Sequence, residues 1–433
     1  MKNKGYPVSR LGQLYKEERM KETKPYSISK KIVLEAFKRV KANNGTYGVD
    51  EQSIGKFEEN LKDNLYKIWN RMSSGTYFPK PVRAVEIPKK SGGTRTLGVP
   101  TIEDRIAQMV TKLYFEPDVE AMFYEDSYGY RPNKSAKQAL EVTRTRCWRK
   151  DWVLEFDIKG LFDNIRHDYL LEMVRRHSNE PWILLYVERW LKVPFQMKDG
   201  SLRQRTAGTP QGGVISPVLA NLFLHYAFDD FMEKQFPHIS WARYADDGIA
   251  HCVSLEQAKN LQDKLVQRFQ RFGLELNLEK TRIVYCKDED RKGNHEYTSF
   301  DFLGYTFRPR HAKNRYGKFF TNFLPAVSEK AKKAIRKQVR SWKLQHKSDK
   351  TLNDIANMFN RKIQGWMNYY TFFYKSEFYE VLRYINSALI KWVRGKFKKK
   401  NSKRKAERWL GEIAKRDRRI FAHWKIEILP STG

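Results

Sequence analysis

The sequence contains few cysteines, no long apolar run and no excess of acidic residues. Its three cysteines, Cys147, Cys252 and Cys286, are far apart and form no Cys-x-x-Cys pair. This argues against a disulfide scaffold and a structural zinc site, and it fits a reducing compartment. No apolar stretch is as long as a membrane span, and the basic N-terminus lacks the apolar core of a secretory signal. We therefore expect a cytoplasmic protein without a membrane partner.

Positive charge is what the sequence has in abundance. Lysine and arginine number 83 against 50 acidic residues, so the formal net charge is +33. Such an excess predicts a long polyanionic partner and salt-dependent binding, as expected for a nucleic-acid enzyme. The aromatic fraction of 14% supplies rings that can stack on bases as well as fill a core. The chain length predicts about two to three domains.

The most informative motif is the segment RYADDGIA, residues 243–250. Strand-like residues lie on both sides of it, and Asp246, Asp247 and Gly248 predict a tight hairpin turn. Two adjacent, exposed carboxylates at a hairpin tip repel each other unless a cation lies between them. Mg²⁺ is the natural occupant because it prefers oxygen ligands and keeps substrate phosphates in its shell. Taken alone, the motif is also consistent with an ordinary surface turn.

A further carboxylate, Asp157, lies near the end of a short apolar strand at residues 153–158. A buried strand rarely carries an aspartate unless the charge is paired or metal-bound. A strand aspartate and a hairpin pair of aspartates suit a two-metal phosphoryl-transfer site, whose ions lie about 3.5–4 Å apart. We assign Asp157 and Asp246 as the bridging ligands and Asp247 as the supporting third. The alternative for Asp157 is a capping or salt-bridged acid at a strand end.

Two turn-rich segments add to this pattern. IPKKSGGTR places Lys89 and Arg95 on either side of two glycines, which predicts a basic hairpin tip that can grip phosphate oxygens. A solvated basic hairpin is the ordinary alternative. GTPQGG predicts a loop that opens a helix near Val214, and Gly212 and Gly213 in it allow close approach of a flat base or sugar.

These segments occur in the order and spacing of a known family. The blocks are NNGTYGVD, VEIPKKSGGTRTLGVPTIEDRIAQ, SYGYRPNKSAKQAL, FDIKGLFDNIRHD, GTPQGGVISPVLANLFLH, RYADDGIA, GLELNLEKT and FLGYTF. From about residue 35 to its C-terminus the chain resembles the bacterial group II intron-encoded reverse transcriptases, also called maturases. The resemblance implies an α+β, right-hand polymerase of fingers and palm with an antiparallel sheet. An all-helical thumb (the maturase or X domain, with its GWMNYY motif) and a basic C-terminal segment would follow.

The resemblance also implies roles for single residues. Phe162 corresponds to a steric gate that rejects ribonucleotides, and Lys280 to a lysine near the pyrophosphate leaving group. Lys89 and Arg95 would hold the incoming nucleotide, and Gln211 would lie against the nascent base pair. The remaining implied contacts are Ile158 as a further metal ligand and Tyr244, Gly212 and Gly304 at the primer and template.

We expect four regions along the chain. They are a basic N-terminal extension at residues 1–27, fingers and palm at 28–308, a helical thumb at 309–390 and a basic DNA-binding tail at 391–433. One helix is predicted to carry the apolar stripe from Ile54 to Met72, and three amphipathic helices are predicted after Pro309. The chain lacks the paired cysteines of the C-terminal endonuclease that many relatives carry.

The sequence therefore predicts an RNA-directed DNA polymerase that uses two Mg²⁺ ions, dNTPs, a DNA primer and target, and an RNA template. The template would be the intron that encodes it, which the protein would also help to splice. Three alternatives remain: a free-standing bacterial reverse transcriptase of retron or defence type, a splicing-only maturase, and an RNA-dependent RNA polymerase. FLGYTF in place of VTG argues against a retron enzyme, the intact aspartates against a splicing-only protein, and Phe162 against an RNA polymerase.

Overall fold

The computed structural model describes residues 24–88, 92–313 and 316–431. The α-helices are α1 (Lys30–Ala42), α2 (Ile54–Glu58), α3 (Leu61–Ser73), α4 (Ile102–Glu120), α5 (Ala136–Cys147), α6 (Leu161–Asn164), α7 (His167–His177), α8 (Pro181–Lys192), α9 (Ser216–Leu224), α10 (Asp230–Gln235), α11 (Leu255–Arg271), α12 (Glu329–Ser341), α13 (Leu352–Tyr370), α14 (Ser376–Lys396) and α15 (Lys403–Arg416). The strands are β1 (Val82–Pro88), β2 (Thr94–Val99), β3 (Trp152–Asp157), β4 (Phe195–Gln196), β5 (Leu202–Arg203), β6 (Ser240–Tyr244), β7 (Asp247–Cys252), β8 (Arg282–Tyr285), β9 (Phe300–Phe302), β10 (Tyr305–Lys313) and β11 (Phe319–Val327). A π-helical turn lies at His225–Asp229, and short 3₁₀ turns lie at Leu344–His346, Lys398–Lys400 and Ala422–Ile426.

The chain folds into two compact units, neither of which is continuous in sequence. The first unit contains the described residues up to Tyr124, together with Gly160–Ala227 and Arg271–Leu274. The second unit contains Glu125–Lys159, Phe228–Gln270 and the described residues from Glu275 onward.

The first unit contains a sheet of order β2-β1-β4-β5 beside helices. β1 and β2 form the predicted basic hairpin, with Ile87 paired to Arg95. Gly92 and Gly93 have φ angles of +91° and +74°, which glycine adopts without steric cost. Lys89 lies outside the described residues.

The N-terminal helices of the first unit differ from the prediction. The stripe from Ile54 to Met72 was predicted as one helix, but α2 ends at Glu58 and α3 begins at Leu61. Asn60 interrupts the helix with φ −123° and ψ 45°, and the Asn64 side chain donates to the carbonyl of Phe57 at 2.9 Å. The apolar stripe is nevertheless buried at Ile68 and Met72.

The second unit is built on an antiparallel sheet of order β6-β7-β3-β8. α5 packs against β6, and α11 buries Leu261, Leu265 and Phe269 along one face. The Phe269 ring contacts Phe156 of β3 with centroids 6.2 Å apart. These contacts fix the strands that carry the predicted aspartates.

A second sheet of order β11-β10-β9 follows, which corrects the predicted change to helices at Pro309. Pro309 lies inside β10, where it pairs with Phe323 of β11. Helices take over at Glu329 instead. A proline is accommodated in a strand where its missing N–H leaves no ladder bond unmade, and the pairing of β10 with β9 ends at Phe307, before Pro309.

The three predicted C-terminal helices are present as α12, α13 and α14, and their apolar residues form one core. The predicted boundary between residues 390 and 391 falls inside α14. Residues of the basic tail, including Leu410, Phe421 and Trp424, pack into the same core. The tail is therefore part of the helical region and contains an ordered helix, α15. Across the described residues, no helix is long and apolar enough to span a membrane.

Candidate active site

The three predicted metal-binding aspartates meet at one end of the β6-β7-β3 sheet. β6 and β7 form the predicted hairpin, and Asp247 pairs with both Tyr244 of β6 and Asp157 of β3. The backbone N–H of Ile158 donates to the carbonyl of Asp246 at 3.3 Å, which ties the hairpin turn to the end of β3. Strand pairing thus brings together carboxylates that are about ninety residues apart in the chain.

The turn itself is shifted by one position from the prediction. Its two residues are Ala245 and Asp246, and Asp247 already belongs to β7. Ala245 has a φ angle of +57°, a left-handed conformation that is uncommon for residues other than glycine. The sequence predicts the turn at Asp246, Asp247 and Gly248 because glycine usually fills the positive-φ positions of hairpin turns.

Gly248 has a packing role rather than a turn role. It pairs with Phe156 across β7 and β3, and a Cβ atom on it would lie 2.1 Å from the Phe156 ring. Any side chain at position 248 would therefore displace that ring and the strand that carries Asp157.

Asp157 is held by two residues from the segment between α11 and β8. Lys280 Nζ lies 2.8 Å from Asp157 Oδ2, and Asn277 Nδ2 donates to the same oxygen at 3.1 Å. The Asn277 backbone N–H also donates to the Asp157 carbonyl at 2.8 Å. Sequence reasoning found Lys280 in the LNLEKT block but missed Asn277, which lies in the same block. The available signal was the position of Asn277, three residues before Lys280 in the same turn.

The hairpin carboxylates carry charge that their surroundings do not fully neutralise. Loss of surrounding water and then repulsion from Asp246 and Asp157 raise the pKa of Asp247 to about 7, although the residue is partly open to solvent. Burial and the nearby Asp157 charge also raise the pKa of Asp246. Glu155 on the same strand as Asp157 has its pKa raised to about 8, first by burial and then by Asp301. Such uncompensated negative charge attracts a cation.

The donor set fits Mg²⁺ in its chemistry, because carboxylate oxygens are the ligands this ion prefers. Among the described residues, however, no three His, Cys, Asp or Glu side chains already converge as a metal-binding cluster. Lys280 Nζ and Asn277 Nδ2 both bond to Oδ2 of Asp157. The Lys280 side chain is 58% exposed, so it is free to release this oxygen.

The GTPQGG loop lies in the first unit, where it is anchored to β2. The Gly98 N–H donates to the Gln211 carbonyl at 2.7 Å, and a Cβ atom on Gly212 would lie 2.3 Å from the Gly98 carbonyl oxygen. The backbone of β2 therefore makes a close approach to Gly212, where the sequence predicts one by a base or sugar. Gln108 Oε1 accepts from the Val214 N–H at 2.7 Å just before α9, which begins at Ser216, two residues after the predicted start.

The other nucleotide-binding candidates of the first unit differ in exposure. Arg95 is exposed on β2, three residues before the glycine that holds the GTPQGG loop. Phe162 is half-buried on α6, and its carbonyl accepts from the Thr209 N–H at 2.7 Å. The same β2 strand thus carries the basic hairpin tip and the anchor of the Gln211 loop.

Gly304 lies in the turn between β9 and β10, in the second unit. Its φ angle is +80°, and a Cβ atom on it would lie 3.0 Å from the Tyr370 hydroxyl. The neighbouring Tyr369 donates its hydroxyl to the Leu303 carbonyl at 2.8 Å. The GWMNYY segment of α13 therefore packs directly on the FLGYTF turn. Tyr244, the remaining primer candidate, is half-buried at the end of β6.

Comparison with known proteins identifies two family models in the chain. Residues 87–307 match the model "Reverse transcriptase (RNA-dependent DNA polymerase)", and residues 332–410 match "Group II intron, maturase-specific domain". These matches confirm the resemblance found in the motifs and the α+β fold class.

Individual relatives cover the chain to different extents. Protein YkfC of Escherichia coli (strain K12) is 29% identical over 314 residues, which are 63% of this chain and 78% of YkfC. The group II intron-encoded protein LtrA of Lactococcus lactis subsp. cremoris is 34% identical over 204 residues, 46% of this chain and 33% of LtrA. A solved apo telomerase structure from Candida tropicalis has a TM-score of 0.42 and 15% identity, covering 56% of this chain and 59% of that chain.

Proposed function

This chain belongs to the reverse transcriptase (RNA-dependent DNA polymerase) family, and on that basis we propose that it copies RNA into DNA by Mg²⁺-dependent nucleotidyl transfer. The observation that carries this proposal is the meeting of Asp157, Asp246 and Asp247 at the end of one sheet. The uncompensated negative charge of Asp246 and Asp247 is the feature that a pair of divalent cations would neutralise.

In this proposal Asp157, Asp246, Asp247 and Ile158 would hold the two Mg²⁺ ions. When bound, the ions supply activation of the primer 3′-hydroxyl and neutralise charge on the leaving pyrophosphate. Asn277 orients the Asp157 carboxylate through its side chain and its backbone. Lys280 would leave Asp157 for the pyrophosphate, and its ion pair with Asp157 raises its pKa and keeps it protonated until then.

Residues of the first unit would position the nucleotide and the nascent base pair. Arg95 offers a guanidinium fork for triphosphate oxygens, with Lys89 as a second cation. Phe162 would exclude a ribose 2′-hydroxyl, and Gln211 would lie against the new base pair. Tyr244, Gly212 and Gly304 would contact primer and template.

The template would be the group II intron RNA that encodes the protein, and the protein would assist splicing and mobility of that intron as a ribonucleoprotein in the bacterial cytoplasm. The maturase-specific match over residues 332–410 supports this, as does the likeness to LtrA, a group II intron-encoded protein. The basic helix α15 and the segments beside it would hold the DNA target. Since the aligned region is 33% of LtrA, these partners rest mainly on the domain match.

Primer extension tests the polymerase proposal. Purified wild type, Asp246→Asn and the control Asp263→Asn, an exposed change on α11, would extend a DNA primer on an RNA template with dNTPs. We expect wild type and Asp263→Asn to extend the primer and Asp246→Asn to fall to background, while all three bind the RNA equally. Extension by Asp246→Asn would show that this carboxylate holds no essential metal.

Splicing of the gene's own transcript tests the maturase proposal. RNA containing the gene and its flanks would be incubated at low Mg²⁺ with each protein, and ligated exons would be measured. We expect wild type and Asp246→Asn to promote splicing equally, because the polymerase carboxylates are not required for it. No excised intron at any Mg²⁺ concentration, with primer extension intact, would identify a free-standing reverse transcriptase instead.

A further inference from the structure

Arg243 lies on β6, just before the Ala245–Asp246 turn, which we call the catalytic turn. Its guanidinium is fully buried. Its Nε lies 2.7 Å from Asp229 Oδ1, and its Nη2 lies 2.6 Å from Asp229 Oδ2. The Asp229 side chain is also fully buried. The two groups therefore form a bidentate ion pair inside the second unit, the strongest geometry available to an arginine and a carboxylate.

A further N–H of the same guanidinium reaches the catalytic turn. Arg243 Nη1 donates to the carbonyl of Ala245 at 3.2 Å. Ala245 is the turn residue with φ of +57°, a conformation that alanine adopts only where its surroundings enforce it. Its carbonyl belongs to the peptide that joins it to Asp246. Fixing that carbonyl therefore fixes the plane from which the Asp246 side chain departs.

The segment Asp126–Gly129 supports this arrangement from the other side. Ser127 Oγ accepts from Arg243 Nη2 at 2.8 Å, and the backbone of Arg243 exchanges hydrogen bonds with Asp126 and Tyr128 at 2.9 and 2.8 Å. A Cβ atom on Gly129 would lie 2.4 Å from the Ala245 nitrogen, so this segment presses directly on the turn.

Stability alone does not account for this choice of residues. A buried ion pair is often replaced by apolar side chains without loss of stability, because desolvation offsets the attraction. An apolar pair at these positions would fill the same volume but could not bind the Ala245 carbonyl. The planar guanidinium can bind Asp229, Ser127 and the turn at once.

We propose that Arg243 is a positioning residue that clamps the Ala245–Asp246 peptide and so holds Asp246 in the orientation that a divalent cation requires. The clamp consists of Arg243, Asp229, Ser127 and the Ala245 carbonyl. This inference rests on the proposed polymerase function for the role of Asp246, but it also predicts a change in cation affinity that is measurable without catalysis.

Arg243→Lys is the informative variant, because lysine keeps the charge beside Asp229 but lacks the fork that also reaches Ala245. Arg310→Lys is the matched control. Arg310 is likewise buried and pairs with a carboxylate, Glu377, at 2.8 Å, but it lies on β10 in the other sheet of the second unit. The same chemical change is thus made away from the catalytic turn.

Two readouts decide the proposal. The first is the Kd for Mn²⁺ of the free protein, which is measured by electron paramagnetic resonance from the decrease of the free-ion signal. This Kd should rise about tenfold in Arg243→Lys. In primer extension, kcat should fall about 10–100-fold, the Mg²⁺ concentration for half-maximal rate should rise, and the KM for dNTP should change little. Arg310→Lys should match wild type in all four quantities. Arg243→Lys with the same Mn²⁺ affinity and kcat as Arg310→Lys would overturn the proposal.

A second variant tests the same proposal if Arg243→Lys does not fold. Arg243→Met with Asp229→Leu removes both buried charges together, which buried ion pairs commonly tolerate. We expect this double variant to fold and to show the same weakened Mn²⁺ binding, whereas wild-type Mn²⁺ affinity in it would overturn the clamp. If wild type binds Mn²⁺ but extends no primer, the proposed function fails and the Mn²⁺ comparison still decides the clamp.

Discussion

At the scale of single residues, the three carboxylates of the site differ in what neutralises them. Asp157 is paired with Lys280 and hydrogen-bonded to Asn277, so its charge is already compensated. Burial and then repulsion from Asp157 raise the pKa of Asp246, and burial and then repulsion from Asp246 and Asp157 raise the pKa of Asp247. An arriving cation would therefore be attracted first to the hairpin pair, and recruiting Asp157 would require Lys280 to move.

Phe162 provides a residue-scale test of nucleotide selection. In Phe162→Val the half-buried ring is replaced by a smaller side chain, which removes the bulk proposed to meet a ribose 2′-hydroxyl. We expect the ratio of kcat/KM for dNTP to that for rNTP to fall by about 10²-fold or more, since discrimination by a steric clash far exceeds that of a missing methylene.

The control for this change is Phe320→Val, another half-buried phenylalanine, on β11. It should leave the dNTP to rNTP ratio as in wild type. An unchanged ratio in Phe162→Val would remove the gate assignment. Equal use of both nucleotides by wild type would support an RNA polymerase instead.

At the scale of elements, the last described segment is joined to the helical core by buried hydrogen bonds. Asn386 Oδ1 of α14 accepts from Trp424 Nε1 at 2.9 Å and lies 2.7 Å from His423 Nε2. The Asn386 amide donates to the Ile428 carbonyl at 3.0 Å. Because the amide oxygen can only accept, His423 Nε2 carries a proton, and burial of the ring favours its neutral form.

This network predicts that the packing of the C-terminal segment, residues 420–431, on the helical core becomes less stable in acid. Burial lowers the pKa of His423 to about 3. Between that value and the ordinary value near 6.5, the unfolded segment takes up a proton that the folded segment does not, so stability falls as pH decreases through this window. At pH 5 the free energy that stabilises the folded segment is about 2 kcal/mol smaller than at pH 7 and above.

Hydrogen–deuterium exchange of peptides from residues 420–431, corrected for intrinsic exchange rates, measures how readily this segment opens. Protection in wild type should fall more between pH 7 and pH 5 than in His423→Gln, which cannot take up a proton. His238→Gln, a change at an exposed histidine, should follow wild type. Parallel curves for wild type and His423→Gln would show that His423 does not control the segment.

The elements also show what the sequence could and could not predict. Short runs of strand-like, apolar residues located the β6–β7 hairpin and β3, and helical apolar stripes located α12, α13 and α14, because burial of apolar residues leaves these patterns in the sequence. The turn register at Ala245 was missed because tertiary contacts enforce its left-handed backbone. The requirements at Gly248 and Gly212 come from Phe156 and Gly98, which are distant in sequence. The roles assigned to single site residues stay predictions.

At the scale of the whole molecule, the net charge of +33 governs association with nucleic acid. Part of this excess is concentrated in residues 391–419, where the ordered helix α15 presents it on a packed scaffold rather than on a loose arm. Release of counterions from RNA then contributes much of the binding free energy.

RNA affinity should therefore fall steeply with salt. If the protein neutralises about 6–10 phosphates, raising KCl from 50 to 200 mM should weaken binding by about 10³-fold or more. Filter binding or fluorescence anisotropy against a single labelled RNA would measure the slope of log Kd against log[KCl]. Keeping KCl at 50 mM and adding sucrose to the osmolality of 200 mM KCl should leave Kd as it is at 50 mM KCl. A slope near zero would mean that the excess charge has another purpose.

The interleaving of the two units has a consequence for how the protein is made. The chain passes from one unit to the other five times, after Tyr124, Lys159, Ala227, Gln270 and Leu274. No single stretch of the gene encodes either unit by itself. At about 5–20 residues per second, a ribosome needs roughly 7–29 s to pass from Tyr124, where the first stretch of the first unit ends, to Arg271, where its last piece begins. Throughout that time the nascent chain exposes surfaces of the first unit that its later pieces would cover, and exposed apolar surface of this kind is what chaperones bind.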